Sequence, residues 1–197
     1  MSVSVLLWDF GDTLVDERWM RRAPAGCATW EGSWAEVMAD LADDWNVGAV
    51  TSAIVFQALA SRTGMSAEDV EAHARDCCRQ IEFHTSAWRY AQKRCRPQAL
   101  VTVNPDLFME YVIPLHALTA VFDVVVVSAT EHRANKVELS DEALARLGFG
   151  GDRSEALLID NRADLVRAWE ESGGAGYWFR GDEDFGRDMP ALLDEVR

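Results

Sequence analysis

The chain has 197 residues, 49% of them hydrophobic, with 5 prolines and 13 glycines, which suits one ordered domain or a core with a sizeable insertion. Its formal net charge of −14 disfavours nucleic acid and membrane surfaces as partners, without excluding small anionic substrates. No run of 18 apolar residues and no signal-peptide pattern is present, and the four cysteines form no CxxC pair, so we expect a cytoplasmic protein with reduced thiols.

A strand-end carboxylate stands near the start of the chain. The apolar run Val3 to Trp8 predicts a buried strand, and Asp9-Phe10-Gly11-Asp12-Thr13 follows it directly. Ligands of open α/β folds bind at the carboxyl ends of parallel strands, so Asp9 is a candidate functional residue. A carboxylate beside so apolar a run is costly unless a partner such as a metal ion compensates its charge. The alternative is a plain strand end followed by a glycine turn.

The segment from about Asp16 to Gln98 is too long for one crossover connection, and it looks helical. We predict four helices packed as a small bundle: Trp34 to Asp44, Ser52 to Arg62, Glu68 to Gln80 and Phe83 to Lys93. Ser66 precedes the third helix at the spacing of a helix cap. We expect most tryptophans of this segment in its core, with one or two lining a pocket that faces the sheet; they are Trp19, Trp30, Trp34, Trp45 and Trp88.

Strand and helix patterns alternate in the rest of the chain. Four apolar runs without strict alternation predict buried parallel strands: Ala99 to Val103, Phe122 to Val127, Ala156 to Ile159 and Tyr177 to Phe179. Amphipathic stretches predict helices: Leu107 to Thr119, Asp141 to Leu147, Leu165 to Glu171 and Met189 to Val196. The alternation predicts a doubly wound, Rossmann-like α/β fold with a parallel five-stranded sheet and an inserted helical segment.

Further strand ends carry side chains with useful chemistry. Thr102 ends the second strand, where a hydroxyl can donate to a phosphate oxygen, although threonine is also an ordinary strand residue. Lys136 is one of only two lysines in the chain, which has 17 arginines. Its compact cation would suit a place between carboxylates and a phosphoryl group. The alternative is a surface lysine. Asp160 ends the fourth strand and Asp164 follows four residues later; with a backbone carbonyl they would make a hard oxygen site that suits magnesium, and the alternative is a turn residue and a helix cap.

Taken together, these motifs resemble those of the haloacid dehalogenase superfamily of hydrolases in their order, their spacing and their structural context. The resemblance covers essentially the whole chain. Asp9 to Thr13 resembles its first motif, with an aspartate nucleophile. Thr102 resembles the hydroxyl of the second motif, Lys136 the base of the third, and Asp160 with Asp164 the acidic fourth. The resemblance implies a hydrolase core of residues 1–15 and 98–197, and a helical cap of residues 16–97.

The resemblance also implies a mechanism and a cofactor. Asp9 would attack the phosphoryl group of a small phosphorylated metabolite, and water would hydrolyse the aspartyl phosphate. Thr102 and Lys136 would orient and neutralise the phosphoryl oxygens. Mg²⁺ would be held by Asp9, the Gly11 carbonyl and Asp160, with Asp164 or Asn161 acting through water. The cap would close over the site and exclude bulk water.

The sequence departs from the family pattern at one position. Phosphatases of this family usually carry a second aspartate two residues after the nucleophile as general acid and base, and here that position is Gly11. The departure predicts a slow enzyme or one that uses activated leaving groups. Asp12, one residue later, is a candidate replacement, unless it is a turn residue. The alternatives are a phosphate-binding or regulatory protein without turnover, or a metal-free 2-haloacid dehalogenase, which the acids at 160 and 164 disfavour.

Basic residues flank the inserted segment. They are Arg18, Arg21 and Arg22 before it, and Arg89, Lys93, Arg94 and Arg96 at its end. Because both ends of an insertion join the same sheet, the two clusters could form one positive mouth that steers anionic substrates; the alternative is scattered, solvated arginines. The sequence predicts neither the substrate itself nor the oligomeric state.

Overall fold

Five parallel strands form a single sheet. The computed structural model describes residues 3–17 and 21–194, with only the backbone of residues 190, 193 and 194. The strands are β1 (Val5–Trp8), β2 (Gln98–Thr102), β3 (Val124–Val127), β4 (Ala156–Asp160) and β5 (Ala175–Trp178), in the spatial order β3-β2-β1-β4-β5. The predicted α/β class, strand number and parallel arrangement are confirmed.

Strand β1 lies at the centre of the sheet, and helices cover both of its faces. Its four side chains are all buried, which explains why the run is apolar without alternation. Leu6 and Trp8 pack in the same core as the inserted helices, whereas Val5 and Leu7 face a second core with later helices. Because β1 pairs with both β2 and β4, the strand-end residues of all three strands meet at one edge.

Four helices lie between β1 and β2, as predicted. They are α1 (Trp30–Asn46), α2 (Ser52–Thr63), α3 (Ala67–Arg79) and α4 (Thr85–Gln92). The Ser66 hydroxyl accepts a hydrogen bond from the Asp69 backbone N–H at 3.0 Å and caps α3, as its spacing predicted. Trp30 and Trp45 are buried in the core, Trp34 and Trp88 pack partly buried against it, and Trp19 lies outside the described residues.

The inserted helices α2 and α4 are capped by side chains from distant parts of the chain. Asp106, which follows β2, accepts hydrogen bonds from the Ser52 backbone N–H at 3.0 and 3.1 Å. Asp182 accepts the backbone N–H of Ser86 at 2.8 and 2.9 Å and that of Ala87 at 2.9 Å. Burial alone would raise the pKa of Asp182, but these donors lower it below its ordinary value. Both caps therefore anchor inserted helices to the sheet layer.

Later helices differ from prediction mainly in their bounds. A π-helical turn (Phe108–Val112) and the short α5 (Ile113–Leu115) and α6 (Leu118–Val121) replace the helix predicted over 107–119, and α7 (Ser128–Glu131) follows β3. Helices α8 (Lys136–Arg146), α9 (Ala163–Glu171) and α10 (Asp182–Asp194) begin earlier than predicted, and the end of the last predicted helix lies outside the described residues. Helix α8 begins at Lys136 because the Asn135 side chain accepts the Val137 N–H at 3.0 Å.

The structure also bears on membrane spans and on the cysteines. Among the described residues, no helix combines the length and the apolar character needed to cross a lipid bilayer. All four cysteines are free thiols, and burial raises the pKa of Cys78 to about 12.

Candidate active site

One ammonium group joins two strand-end carboxylates. The Lys136 Nζ lies 2.6 Å from Asp9 Oδ1 and 3.1 Å from Asp160 Oδ2, and it also donates to the Val101 carbonyl at 2.8 Å. All three charged residues are buried, with Asp9 8%, Lys136 3% and Asp160 1% exposed. Their convergence depends on neighbouring strands, since Asp9 follows β1 and Asp160 ends β4, while Lys136 opens α8.

For Asp9 and for Lys136, burial and the charge of the opposite partner shift the pKa in opposite directions. Burial raises the pKa of Asp9 to about 6; the Lys136 ammonium opposes that shift and the Asp160 carboxylate adds to it. Burial alone would lower the pKa of Lys136, but the two carboxylates outweigh it and raise the pKa above its ordinary value. The lysine therefore stays charged and favours the ionised form of Asp9.

The turn after β1 and the turn after β4 are held together. Thr13 Oγ1 accepts the Asn161 backbone N–H at 3.0 Å and lies 3.3 Å from Asp9 Oδ2, to which it donates. The Asp160 Oδ1 accepts the Arg162 backbone N–H at 2.8 Å. Asp9 and Asp160 are therefore each oriented by the loops that follow their strands.

Thr102 lies at the same edge, buried to 1% exposure at the end of β2. Its hydroxyl accepts a hydrogen bond from the Asn104 side-chain amide at 2.7 Å and keeps its own proton for a ligand. Ser128, at the end of β3, accepts the Asn104 backbone N–H at 2.9 Å and donates to the Asn46 carbonyl at 2.5 Å. These contacts tie the end of α1 to the strand edge.

The overall fold recurs in solved structures. A HAD (haloacid dehalogenase) family enzyme from Bacteroides thetaiotaomicron superposes with a TM-score of 0.73 at 16% identity, covering 96% of this chain and 99% of that one. The chain has the haloacid dehalogenase fold. No protein-family model and no curated protein sequence matches it.

Other proteins with the haloacid dehalogenase fold differ in what they bind. The same Bacteroides enzyme in complex with magnesium and inorganic phosphate has a TM-score of 0.69 at 16% identity, covering 94% of this chain and 98% of that one. An L-2-haloacid dehalogenase from Xanthobacter autotrophicus with chloropropionic acid covalently bound has a TM-score of 0.65 at 14% identity, covering 96% and 83%.

Two cavities open beside the site. The strand-edge cavity, of about 410 Å³, is lined by Asp9, Thr102, Lys136, Asp160 and neighbouring residues. The α1 cavity, of about 650 Å³, is lined by apolar side chains of α1, among them Trp34, Met38 and Trp45, and by the charged Glu17, Arg21 and Glu31. Glu17, Asn46 and Asn104 line both cavities and therefore mark the boundary between them.

The oxygen atoms at the strand edge fit a magnesium ion. Asp160 Oδ2 is buried, and its close partner among the described residues is the Lys136 ammonium at 3.1 Å. In the described part of the chain, no three acidic, histidine or cysteine side chains converge as a closed metal cluster. Magnesium commonly uses one or two carboxylates and keeps several waters, so Asp9, Asp160 and a backbone carbonyl such as that of Gly11, which lines the cavity, suffice.

The other predicted ligands take different positions. The Asp164 side chain is 63% exposed and pairs with Arg162 at 2.6 Å, a contact that lowers its pKa. Asn161 lines the strand-edge cavity, and its carbonyl accepts the Trp178 indole N–H at 3.0 Å. Their roles as magnesium ligands remain predictions, and the geometry favours Asn161 over Asp164.

The Gly11 position is filled by another part of the chain. A Cβ built on Gly11 would lie 2.7 Å from Glu17 Oε1 and 2.8 Å from its carboxyl carbon. Asp12, with a positive φ of 50°, is exposed, and its Oδ1 accepts the Glu17 backbone N–H at 2.9 Å. Asp12 is thus a turn residue that holds Glu17, and its role as a catalytic acid stays a prediction.

Sequence reasoning missed Glu17 and Asn104, and it misplaced the basic clusters. Arg21 lines the α1 cavity near the carboxyl ends of the strands, whereas Arg94 donates to the Ala120 carbonyl at 2.6 Å, beside the amino ends of β2 and β3. The structure therefore separates the two clusters across the sheet, and the hypothesis of one positive mouth is wrong. Arg18 lies outside the described residues.

Proposed function

We propose that this protein is a magnesium-dependent phosphohydrolase of small phosphorylated metabolites, working through an aspartyl-phosphate intermediate. The observation that carries the proposal is the contact of the Lys136 ammonium with both Asp9 and Asp160, at 2.6 and 3.1 Å. A buried carboxylate beside a fixed cation is an oriented, ionised nucleophile. Asp160, whose Oδ2 is paired with that ammonium and with no other donor among the described residues, supplies a hard oxygen ligand next to it.

In the first step, a carboxylate oxygen of Asp9 attacks phosphorus in line with the leaving oxygen. Lys136 offsets the charge of the phosphoryl oxygens, and the Thr102 hydroxyl, itself fixed by Asn104, donates to one of them. In the second step, water attacks phosphorus and releases Asp9 and inorganic phosphate. Positioning and charge therefore supply most of the catalysis, as is usual for phosphoryl transfer.

Asp9, the Gly11 carbonyl and Asp160 would hold Mg²⁺ at the strand edge, with Asn161 acting through water. When bound, Mg²⁺ supplies positive charge that reduces the repulsion between an anionic nucleophile and an anionic phosphate. The complex of the Bacteroides enzyme with magnesium and inorganic phosphate supports this assignment.

The inserted helices provide the other wall of the site. Residues of α1 line both cavities, so a phosphoryl group in the strand-edge cavity would extend its organic part toward Trp34 and Met38. We take residues 16–97 to be a cap that excludes bulk water during the reaction. The apolar lining favours substrates with an apolar or aromatic organic group over strongly polar ones.

A metal-free 2-haloacid dehalogenase is the second candidate. The Xanthobacter neighbour, with chloropropionic acid covalently bound, supports it, and so does the lack of an aspartate at position 11, although the dehalogenase branch carries a bulky side chain where this chain has Gly11. The buried carboxylate of Asp160, which shares one ammonium with Asp9, argues for a metal ion and against this candidate.

The test is hydrolysis of p-nitrophenyl phosphate with magnesium and with a chelator. We expect turnover that requires magnesium and falls by at least about 10³-fold in Asp9→Asn, because that change removes the nucleophile without altering its size. Asp76→Asn, at an exposed residue paired with Arg79, is the matched control and should behave as wild type. Halide release from 2-chloropropionate in chelator would instead support the dehalogenase, and phosphate binding without turnover would support a binding protein.

A further inference from the structure

The boundary between the two cavities is where a leaving oxygen must lie. In a phosphate monoester, that oxygen joins the phosphoryl group to the organic part. With phosphorus beside Asp9 and the organic part in the α1 cavity, the bridging oxygen lies where the cavities meet. The residues that line both are Glu17, Asn46 and Asn104, and among them only Glu17 has a side chain that can donate and then accept a proton at moderate pH.

The turn after β1 aims the Glu17 carboxyl group at this boundary. Its oxygen fills the space that a side chain on Gly11 would occupy, since a Cβ there would be 2.7 Å away. The Glu17 backbone is held by Asp12 Oδ1 at 2.9 Å, so the turn fixes the residue relative to Asp9. A side chain at position 11 and the Glu17 carboxyl group would therefore occupy the same space, so a residue larger than glycine at position 11 would displace the glutamate.

Glu17 is an exposed residue at the open rim where the two cavities meet, so its carboxyl group can exchange protons with solvent. Asp43 of α1 also lines the strand-edge cavity, but it does not line the α1 cavity and is therefore not at the boundary.

Resting on the proposed function, the geometry points to Glu17 as the general acid and base of the reaction. As Asp9 bonds to phosphorus and the bond from phosphorus to the leaving oxygen breaks, the protonated Glu17 gives its proton to that oxygen and an alcohol departs. Water then attacks the aspartyl phosphate and gives one proton to the Glu17 carboxylate. The bond between phosphorus and Asp9 breaks, which releases hydrogen phosphate and restores both residues.

The experiment compares leaving groups in Glu17→Gln and wild type. For an alkyl phosphate such as β-glycerophosphate, whose alkoxide needs a proton, we expect kcat/KM to fall by about 10²-fold or more. For p-nitrophenyl phosphate, whose phenolate departs without one, kcat/KM should fall less than about tenfold. Its hydrolysis should then show a burst of about one nitrophenolate per enzyme, because breakdown of the aspartyl phosphate has lost its base.

Two further variants complete the test. In Glu17→Ala the volume beside position 11 is free, so adding Gly11→Asp should restore much of the lost activity on the alkyl phosphate. Glu36→Gln, an exposed change on α1 at a residue that pairs with Arg62, is the matched control and should behave as wild type.

Equal losses on both esters in Glu17→Gln would overturn the assignment, as would a leaving-group effect found in Asp43→Asn instead. These outcomes differ from those that would contradict the proposed function. The proposed function fails if wild type hydrolyses neither of the two esters, or if Asp9→Asn is still active. Absence of wild-type turnover would overturn both proposals.

Discussion

At the scale of single residues, the site is built from charges that the protein has to hold against a cost. Asp9 and Asp160 are carboxylates beside apolar strands, and one ammonium, that of Lys136, lies between them. An unpaired carboxylate in such a place would be strongly destabilising. With two acids and one lysine, the group keeps a net negative charge, which leaves room for one more cation.

The raised pKa of Asp9 predicts a pH-dependent stability. Because its pKa is about 6 in the folded chain against an ordinary 3.8, the native state binds more protons than the unfolded state between these values. The contribution of Asp9 to stability is therefore full below about pH 4 and is lost as pH rises through 6. The Asp9→Asn variant has no carboxyl group at this position and does not lose this stability. In the presence of a chelator, the free energy of unfolding of the variant minus that of wild type should therefore grow by about 1–3 kcal/mol from pH 4 to 7.

Thermal or urea unfolding of the two proteins across that range measures the difference. Titrations of groups remote from Asp9 are common to both proteins and cancel, whereas Lys136, whose pKa Asp9 raises, also contributes to the difference. A difference in stability that stays constant with pH would contradict the assigned pKa of Asp9.

At the scale of elements, the position of α1 depends on a close backbone contact. Gly48, just after α1, has a φ of +69°, and a Cβ there would lie 2.4 Å from the Ala129 carbonyl oxygen. The Ser128 hydroxyl donates to the Asn46 carbonyl at the same junction. The helix that lines both cavities is thus seated on the strand edge through a contact that requires glycine.

Gly48→Ala should therefore destabilise the protein more than Gly64→Ala does. Both glycines have a positive φ, but a Cβ at Gly64 would meet no atom within 4 Å. The control carries only the cost of a left-handed residue, about 1 kcal/mol, whereas the test variant adds a clash with backbone and should lose about 3 kcal/mol or more. Urea unfolding measures both, and equal losses would show that the contact with Ala129 does not matter.

At the scale of the whole molecule, two layers meet at the site. The sheet contributes Asp9, Thr102 and Asp160 at its carboxyl edge, and the inserted helices contribute the wall of the α1 cavity. Asp106 and Asp182 cap α2 and α4 from outside the insertion, so the layers are joined by charged hydrogen bonds as well as by apolar packing. Under the proposed function, phosphoryl chemistry and substrate selection belong to different layers.

This division predicts that the α1 cavity can be altered without loss of chemistry. Trp34, stacked on Trp30 at a ring distance of 6.2 Å, lines that cavity. Trp34→Ala should raise KM for p-nitrophenyl phosphate roughly tenfold, about 1.4 kcal/mol, because the aryl group loses an apolar wall. With acetyl phosphate, whose organic part is small, kcat/KM should change less than about threefold.

Steady-state kinetics on the two substrates measure this selectivity, and Trp34→Phe should retain most of the wild-type value for the aryl ester. Parallel losses on both substrates would mean that Trp34 supports the strand-edge site rather than the organic group.

Much of the architecture could be predicted from local patterns. Each of the five strands overlaps an apolar run of the sequence, and burial on both faces explains why the runs of β1, β2 and β4 do not alternate. Asp9 and Asp160 could be paired in advance because parallel strands bring their carboxyl ends to one edge. The start of α8 was missed since its first turn is set by the Asn135 cap and a buried lysine rather than by apolar periodicity.

The sequence by itself determined the α/β order, the inserted helices and the identity of the strand-end acids, because periodicity and strand polarity act over a few residues. Only the tertiary structure decided that Glu17 occupies the space beside Gly11, that Asp106 and Asp182 cap distant helices, and that Asp164 turns to Arg162. Those contacts depend on the paths of loops and on competition among many similar carboxylates. In a chain with 33 acidic residues, spacing alone does not distinguish between them.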